Sequence, residues 1–319
     1  MTDAAASVHV RAPGKLNLFF RVGALGSDGY HDVASAYQAV SLFEDLWARP
    51  ADDFSVEVAG TVDIGRVPLD ESNLALRAAR LLADETGTRR GVRLTIRKGV
   101  PVAGGMGGGS ADAAAALVAC DALWGTGLSA ERLHALAARL GADVPFALAG
   151  GTAVGLGRGD ELRPAEVSGR YDWVLVTSAA GLSTPDVYRA LDAQRDRGDA
   201  SPPPAVPEVH ADVLAALRAA DAEALAAAIR NDLQSAAVEL RPELADTLAS
   251  GERLGALAGM VSGSGPTVAF LTRDEEHAVD LAADLRAEGR QALRVHGGPV
   301  EGARIVSVQG RGRDEGTRG

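Results

Sequence analysis

Apolar and polar positions along this chain follow two periods, and the switches between them outline its elements. Residues 8–10 and 16–22 alternate as strands, the second setting Leu16, Leu18, Phe20 and Val22 on one face. Ala12-Pro13-Gly14 between them reads as a turn. Phe54, Val56 and Val58 alternate in a further strand, and Val92, Leu94 and Ile96 in another. Residues 73–86 switch to a helical period, with Leu74, Ala78, Leu81 and Leu82 on one stripe and Gly87 as the stop. A second helix is predicted from near Ser110 to about Leu123. A third follows Ser129 and gathers Leu133, Leu136, Ala137 and Leu140 before Gly141.

Past Tyr171 the pattern begins again. A strand is predicted over 172–177, a Pro-rich surface loop over 197–207, and helices at about 211–219, 221–233 and 242–250. A strand over 267–271, a helix over 274–288 and a last strand over 291–295 complete the reading. Strands run ahead of helices, which favours an α+β fold over a doubly wound sheet. The polar stretch 163–169 marks a division into units 1–168 and 169–309. Residues 310–319, rich in Gly and charge, read as a disordered tail.

Composition narrows the class. Of 319 residues, 46% are hydrophobic and 24% charged, the balance of a soluble globular chain of about two domains. A net charge of −11 without a basic cluster argues against a nucleic-acid surface. No run approaches the roughly 20 apolar residues of a membrane span. The N-terminus shows no signal peptide, and a lone cysteine, Cys120, permits no internal disulfide and reads as core packing, so a cytoplasmic setting is expected. Only two of the 32 basic residues are lysines, Lys15 and Lys98, and asparagine occurs only at 17, 73 and 231. Where bare charge suffices the chain uses Arg, so a Lys marks a place suited to a compact ammonium.

The most informative stretch is Pro101-Val102-Ala103-Gly104-Gly105-Met106-Gly107-Gly108-Gly109-Ser110-Ala111, between a strand and an Ala-rich helix. Its glycines free the backbone to turn several N–H groups toward one centre, and the helix adds its unpaired first-turn amides. Together they form an anion site suited to a di- or triphosphate. No Gly-Lys-Ser/Thr follows, so it is not a Walker A loop, and it lacks the acidic partner of a dinucleotide fingerprint.

This segment resembles the phosphate-binding motif of the GHMP kinases. Three more segments carry the resemblance: Pro13-Gly-Lys-Leu-Asn-Leu-Phe19 with Asp28-Gly-Tyr-His31, then Gly141-Ala-Asp-Val-Pro-Phe146, then Ser262-Gly-Ser-Gly-Pro266. They span the chain in the expected order and match best the branch that phosphorylates a cytidine diphosphate-linked polyol in isoprenoid precursor synthesis. The resemblance implies two α+β lobes, an S5-domain-2-like N-terminal one and a ferredoxin-like C-terminal one, with the active site in the cleft between them. It implies small-molecule substrates only, with ATP as phosphoryl donor.

Residue by residue, the resemblance makes Asp143 the base and Lys15 its partner that orients the acceptor hydroxyl. By residue type alone, Asp143 is a helix-capping or surface acid and Lys15 a solvated strand lysine. The resemblance sets Lys98 and Asn73 near the adenine or ribose; for Asn73, helix capping explains the residue equally well. Ser110 caps its helix, binds a phosphate oxygen, or does both. Tyr30 and His31 correspond to the pair that stacks on and hydrogen-bonds cytosine, Tyr188 to the opposite stacking face, and Asn17 reaches the acceptor or its diphosphate. Stacking of this kind is worth roughly 1–3 kcal/mol per base.

Two departures stand out: Ala111 replaces a Ser often found there, and Glu131, in the first turn of a helix, is the one acid offered for Mg²⁺. Mg²⁺ is therefore expected to arrive on ATP, with no protein metal ligand named. Against a homoserine- or mevalonate-type kinase stands the Tyr30-His31-Tyr188 set; against a non-catalytic sensor stands the intact Lys15, Asp143 and glycine loop.

Overall fold

The computed structural model describes residues 5–178 and 181–310. It begins with two strands of 21 residues each, β1 (Ala5–Leu25) and β2 (His31–Ala51), paired antiparallel. The turn expected at Ala12-Pro13-Gly14 is absent, because β1 runs straight through it. Pro13 has no N–H to give the ladder. The pairing instead shifts register between Pro13 and Gly14, and again between Asn17 and Phe19, so the signal marks a bulge. β2 has no counterpart among the predicted strands. Its residues 33–40 are buried without interruption, and a strand covered on both faces shows no alternation.

The chain continues through β3 (Phe54–Gly60), α1 (Leu74–Thr86), β4 (Gly91–Lys98), α2 (Gly108–Trp124), α3 (Ala130–Leu140), α4 (Val144–Ala149), β5 (Thr152–Leu156) and β6 (Glu161–Pro164). Next come β7 (Tyr171–Thr177), α5 (Thr184–Arg197), α6 (Ala211–Ala219), α7 (Ala222–Ala228), β8 (Arg230–Asn231), α8 (Gln234–Leu240) and α9 (Glu243–Arg253). β9 (Ala258–Val261), β10 (Val268–Leu271), α10 (Glu275–Ala287), β11 (Gln291–Gly297) and β12 (Arg304–Gly310) end the described chain. The strands join one mixed sheet with the central order β12-β1-β2-β11-β7-β10-β9.

Helix ends follow their chemistry. Asn73 caps α1, Ser129 caps α3 and Asp274 caps α10 through side-chain oxygens, while Gly87 closes α1 in the left-handed region. The single helix expected over 221–233 is instead α7 and the short β8, and α8 begins just beyond it. Ile229 leaves the helix with extended backbone, and Asn231 there accepts the Leu233 N–H. α5 and β12 were not foreseen. β12 includes Gly310, the first residue of the expected tail; residues 311–319 lie outside the described residues.

The two long strands serve several cores. Val8, Val10 and Ala12 of β1 and Leu46 and Ala48 of β2 pack under α1, α2, α3 and α4. Further along β1, Phe20 and Val22 join α5, α8, α9 and α10, while Leu16, Leu18 and Phe19 join the α6 and α7 layer. α2 is buried almost all round, so its run of Ala lets neighbours approach closely, and Cys120 is wholly enclosed in it. Leu82 is fully buried between α1 and the sheet. Leu82→Ala is expected to lower unfolding free energy by about 2–5 kcal/mol, read from urea denaturation.

Candidate active site

The bulge after Pro13 turns Lys15 and Asn17 inward where the cores meet. The Lys15 backbone N–H donates to the Met106 carbonyl (3.0 Å), which ties β1 to the glycine loop. Lys15 is 7% exposed. Its Nζ lies 3.4 Å from Asp143 Oδ2 and donates to Asn17 Oδ1 (2.6 Å), and Asn17 Nδ2 donates to Ser35 Oγ (2.8 Å). The same ammonium stands 5.6 Å from the Tyr37 ring centre, and that ring stacks on Phe146. Burial, then the nearby Asp143 charge, hold the Tyr37 phenol well above its ordinary pKa. Asp143 precedes α4 but makes no capping bond with its side chain, so its carboxylate is left for Lys15. The helix-capping reading of Asp143 therefore fails.

The glycine loop crosses from β4 to α2. α2 begins at Gly108, two residues earlier than expected, because Gly107 takes the left-handed conformation (φ 72°) at its N-cap. Ser110 thus sits in the first turn and does not cap the helix. A Cβ on Gly107 would lie 3.3 Å from Lys15 Cγ and 3.9 Å from Asp143 Oδ2, so only a bare backbone brings the loop this close to the pair. At Gly105 (φ 74°) a Cβ would run into the Ser262 carbonyl, and Ser262 Oγ donates to the Gly105 carbonyl (3.2 Å). Pro101, Val102, Ala103, Gly104, Met106 and Gly109 line the same cleft, of about 570 Å³. Ala111 does not: it faces the core beneath α2, fully buried.

Other expected residues gather there with different partners. Asn73 lines the cleft but spends its side chain on structure: Oδ1 accepts from Ala75 N (2.9 Å) and Nδ2 donates to the Pro68 carbonyl (2.8 Å). Lys98 also lines it, 3% exposed, with Nζ 2.7 Å from Glu44 Oε1 and 2.6 Å from Asp112 Oδ2. Burial opposes the Lys98 charge, but Asp112 and Glu44 together hold its pKa above the ordinary value. Gly263 approaches from the second lobe, and a Cβ there would lie 3.1 Å from Asn17 Oδ1 and 3.5 Å from Lys15 Nζ. Asn231, not expected at the site, holds this loop by donating to the Val261 and Gly263 carbonyls (2.8 and 2.7 Å). Its rarity in the chain was the available signal.

At the far end, Tyr188 lines the cleft from the second turn of α5, and burial, then the Asp143 charge, raise its pKa. His31 lies beside it, ring centres 5.0 Å apart, with Nε2 3.0 Å from Asp192 Oδ1. A carboxylate only accepts, so that nitrogen carries the proton and Nδ1 of the neutral ring is left as an acceptor. Tyr30 is 57% exposed, with the Arg158 guanidinium 5.2 Å from its ring centre. Tyr30 and His31 do not line the central cavity that holds Tyr188. Tyr37, Glu44, Asp112 and Asp192 carry no local sequence signal, since each matters only through a partner distant in sequence.

Asn231→Ala is expected to leave two buried carbonyls unpaired, which costs about 1–3 kcal/mol for a lost buried partner. Urea unfolding reads the loss, and turnover falls with it because Gly263 no longer rests against Lys15.

Comparison with known proteins agrees with this geometry. Residues 73–151 match the GHMP kinases N terminal domain and residues 213–291 the GHMP kinases C terminal domain. The 4-diphosphocytidyl-2-C-methyl-D-erythritol kinase of Leifsonia xyli subsp. xyli is 60% identical over 94% of this chain and 99% of its own length. Its namesake from Clavibacter michiganensis subsp. michiganensis is 56% identical over 96% and 100%. A crystal structure of 4-(cytidine 5'-diphospho)-2C-methyl-D-erythritol kinase superposes with TM-score 0.74 at 32% identity, covering 92% of this chain and all of that one. A homoserine kinase from Cytophaga hutchinsonii, at 18% identity and TM-score 0.70, shares the fold alone. The chain has the two-lobed α+β fold of the GHMP kinases and belongs to that family.

Proposed function

We propose that this ATP-dependent small-molecule kinase phosphorylates the 2-hydroxyl of 4-diphosphocytidyl-2-C-methyl-D-erythritol, a step of isopentenyl diphosphate synthesis by the non-mevalonate route. The observation that carries the reading is the Lys15–Asp143 pair, 3.4 Å apart and directly against Gly107 of the phosphate loop. Phosphoryl transfer asks for positioning, charge neutralisation and a group to take the hydroxyl proton. Asp143, free of capping duty, accepts that proton. Lys15 sits between Asp143 and Asn17, so it orients the carboxylate and offsets charge on the acceptor side. The loop amides and the start of α2 face the donor phosphates.

In this proposal Mg²⁺ arrives with ATP and takes its ligands from the phosphates. Glu131 is exposed in the first turn of α3 and does not line the cleft. The cytosine lies against Tyr188, with Tyr30 closing from the other side. His31 Nδ1, left an acceptor by Asp192, suits the cytosine amino group and would face the uracil carbonyl unfavourably. Lys98 and Asn73 stand at the nucleotide end of the cleft, their side chains already engaged by the protein. We assign the lobes to residues 1–168 and 169–309, on either side of the loop that leads into β7. A cytoplasmic setting is part of the reading, since a lone reduced cysteine suits it.

ADP release with the cytidyl substrate, compared with homoserine, mevalonate and galactose, tests the assignment. Turnover only with one of the other three overturns it. Lys15→Ala and Asp143→Ala are each expected to lower kcat by about 100- to 10,000-fold while ATP affinity is nearly unchanged. Tyr188→Ala is expected to weaken acceptor binding about 5- to 150-fold, the equivalent of one lost stacking contact, in the KM for the cytidyl substrate.

A further inference from the structure

Beneath the phosphate loop lies a charged cluster that the proposed mechanism does not use. Glu44 on β2 is wholly buried, and Lys98 and Asp112 around it are 3% and 4% exposed. Glu44 stands where the two ends of the loop meet. Its Oε2 accepts the Gly99 N–H (3.0 Å), just past β4. Its Oε1 lies against Gly108, where a Cβ would come within 2.9 Å, at the start of α2. Lys98 Nζ then bridges Glu44 to Asp112 in the first turns of that helix. Strand end, loop base and helix start are therefore fastened together by three side chains.

Fully ionised, the cluster holds two carboxylates and one ammonium, a net charge of −1 in a buried space. An uncompensated buried charge is costly. This one would also lie directly below the site for a polyphosphate. Glu44 spends Oε1 on Lys98 and Oε2 on the Gly99 N–H, whereas Asp112 Oδ1 has no hydrogen-bond partner among the described residues, so a proton shared by the pair has an oxygen free to carry it. Among the described residues, the charged groups facing Glu44 are Lys98 from β4 and Asp112 from α2. Asp45, next along β2, is engaged by Arg11, Arg97 and His9.

We propose that Glu44 is a positioning residue of the nucleotide site, and that nucleotide binds the form of the protein in which the Glu44–Lys98–Asp112 cluster carries one extra proton. In that form the loop base is closed and electrically neutral when the phosphates arrive. Burial, then the Asp112 charge, raise the Glu44 carboxyl to about 8, against a smaller opposing pull from Lys98. Burial raises Asp112 as well. The sign follows: below about pH 8 the proton is already in place and affinity is flat, and above it each binding event must first take a proton up.

This inference rests on the reading of the cleft as a nucleotide site, and its test needs no acceptor, so a mistaken acceptor would leave the result intact. Calorimetry with MgADP, whose phosphates carry no titratable proton at pH 8, reads both quantities. For the wild-type protein the dissociation constant is expected to be about tenfold weaker at pH 9 than at pH 7. At pH 8, in buffers of different ionisation enthalpy, about half a proton is taken up per nucleotide. Glu44→Gln keeps the shape without the titration and is expected to change less than twofold over that range. No uptake by the wild-type protein, or an equal fall with pH in the variant, overturns the proposal. So does an absence of MgADP binding, which overturns the nucleotide reading too. Should Glu44→Gln fail to fold, the wild-type proton count decides alone.

Discussion

The ladder between β1 and β2 changes register beside Lys15, and the site depends on that shift. Each strand is 21 residues long, and each feeds more than one hydrophobic core. A strand that long without a bulge would carry one face pattern from end to end. Pro13 cannot donate to the ladder, and the shift after it lets residues 8–12 serve one core while 16–22 serve others. Lys15 and Asn17 fall at the crossover. Its backbone bond to Met106 then fixes the glycine loop against the same point, and Gly263 meets it from the opposite side.

Electrostatics explains why so few cations suffice. A chain of net charge −11 has no long-range attraction to offer a nucleotide and a diphosphate-linked acceptor. Local dipoles take that part: backbone amides of the loop and the start of a 17-residue helix. Of the two lysines, Lys15 faces the cleft while Lys98 is spent on two buried carboxylates. Both are compact ammonium groups held by several oxygens, an arrangement that a planar guanidinium fits poorly. Arginines reach the cleft as well, Arg66 and Arg158, at its rim.

Much of the site was legible because its parts are local in sequence. Strand, glycines and Ala-rich helix announce an anion cradle, and Asn73, Ser129 and Gly87 mark helix ends where the structure has them. Other elements were not legible. β2 hides because burial on both faces erases alternation, and the 221–233 stretch reads as one helix because its break depends on Asn231 reaching the 261–263 carbonyls. Ser110 and Ala111 shifted role when Gly107 started the helix early, turning one toward the cleft and the other into the core. A glycine's willingness to adopt positive φ can be read from sequence. Whether it does so is settled by what packs against it.

The sequence by itself determined the kind of chemistry: the family resemblance supplied Asp143 as the candidate base, and the residues themselves gave a phosphate loop and a pair of lysines in a chain that otherwise uses arginine. Local propensity and residue type are enough for that, because each motif is contiguous. Only the tertiary structure decided which groups meet. Lys15 and Asp143 are 128 positions apart and pair at 3.4 Å, His31 finds Asp192, and Glu44 finds both ends of the loop. Such pairings are set by strand register and core packing, which sum over the whole chain. They also gave the two lysines opposite tasks, one facing the cleft and one closing its floor.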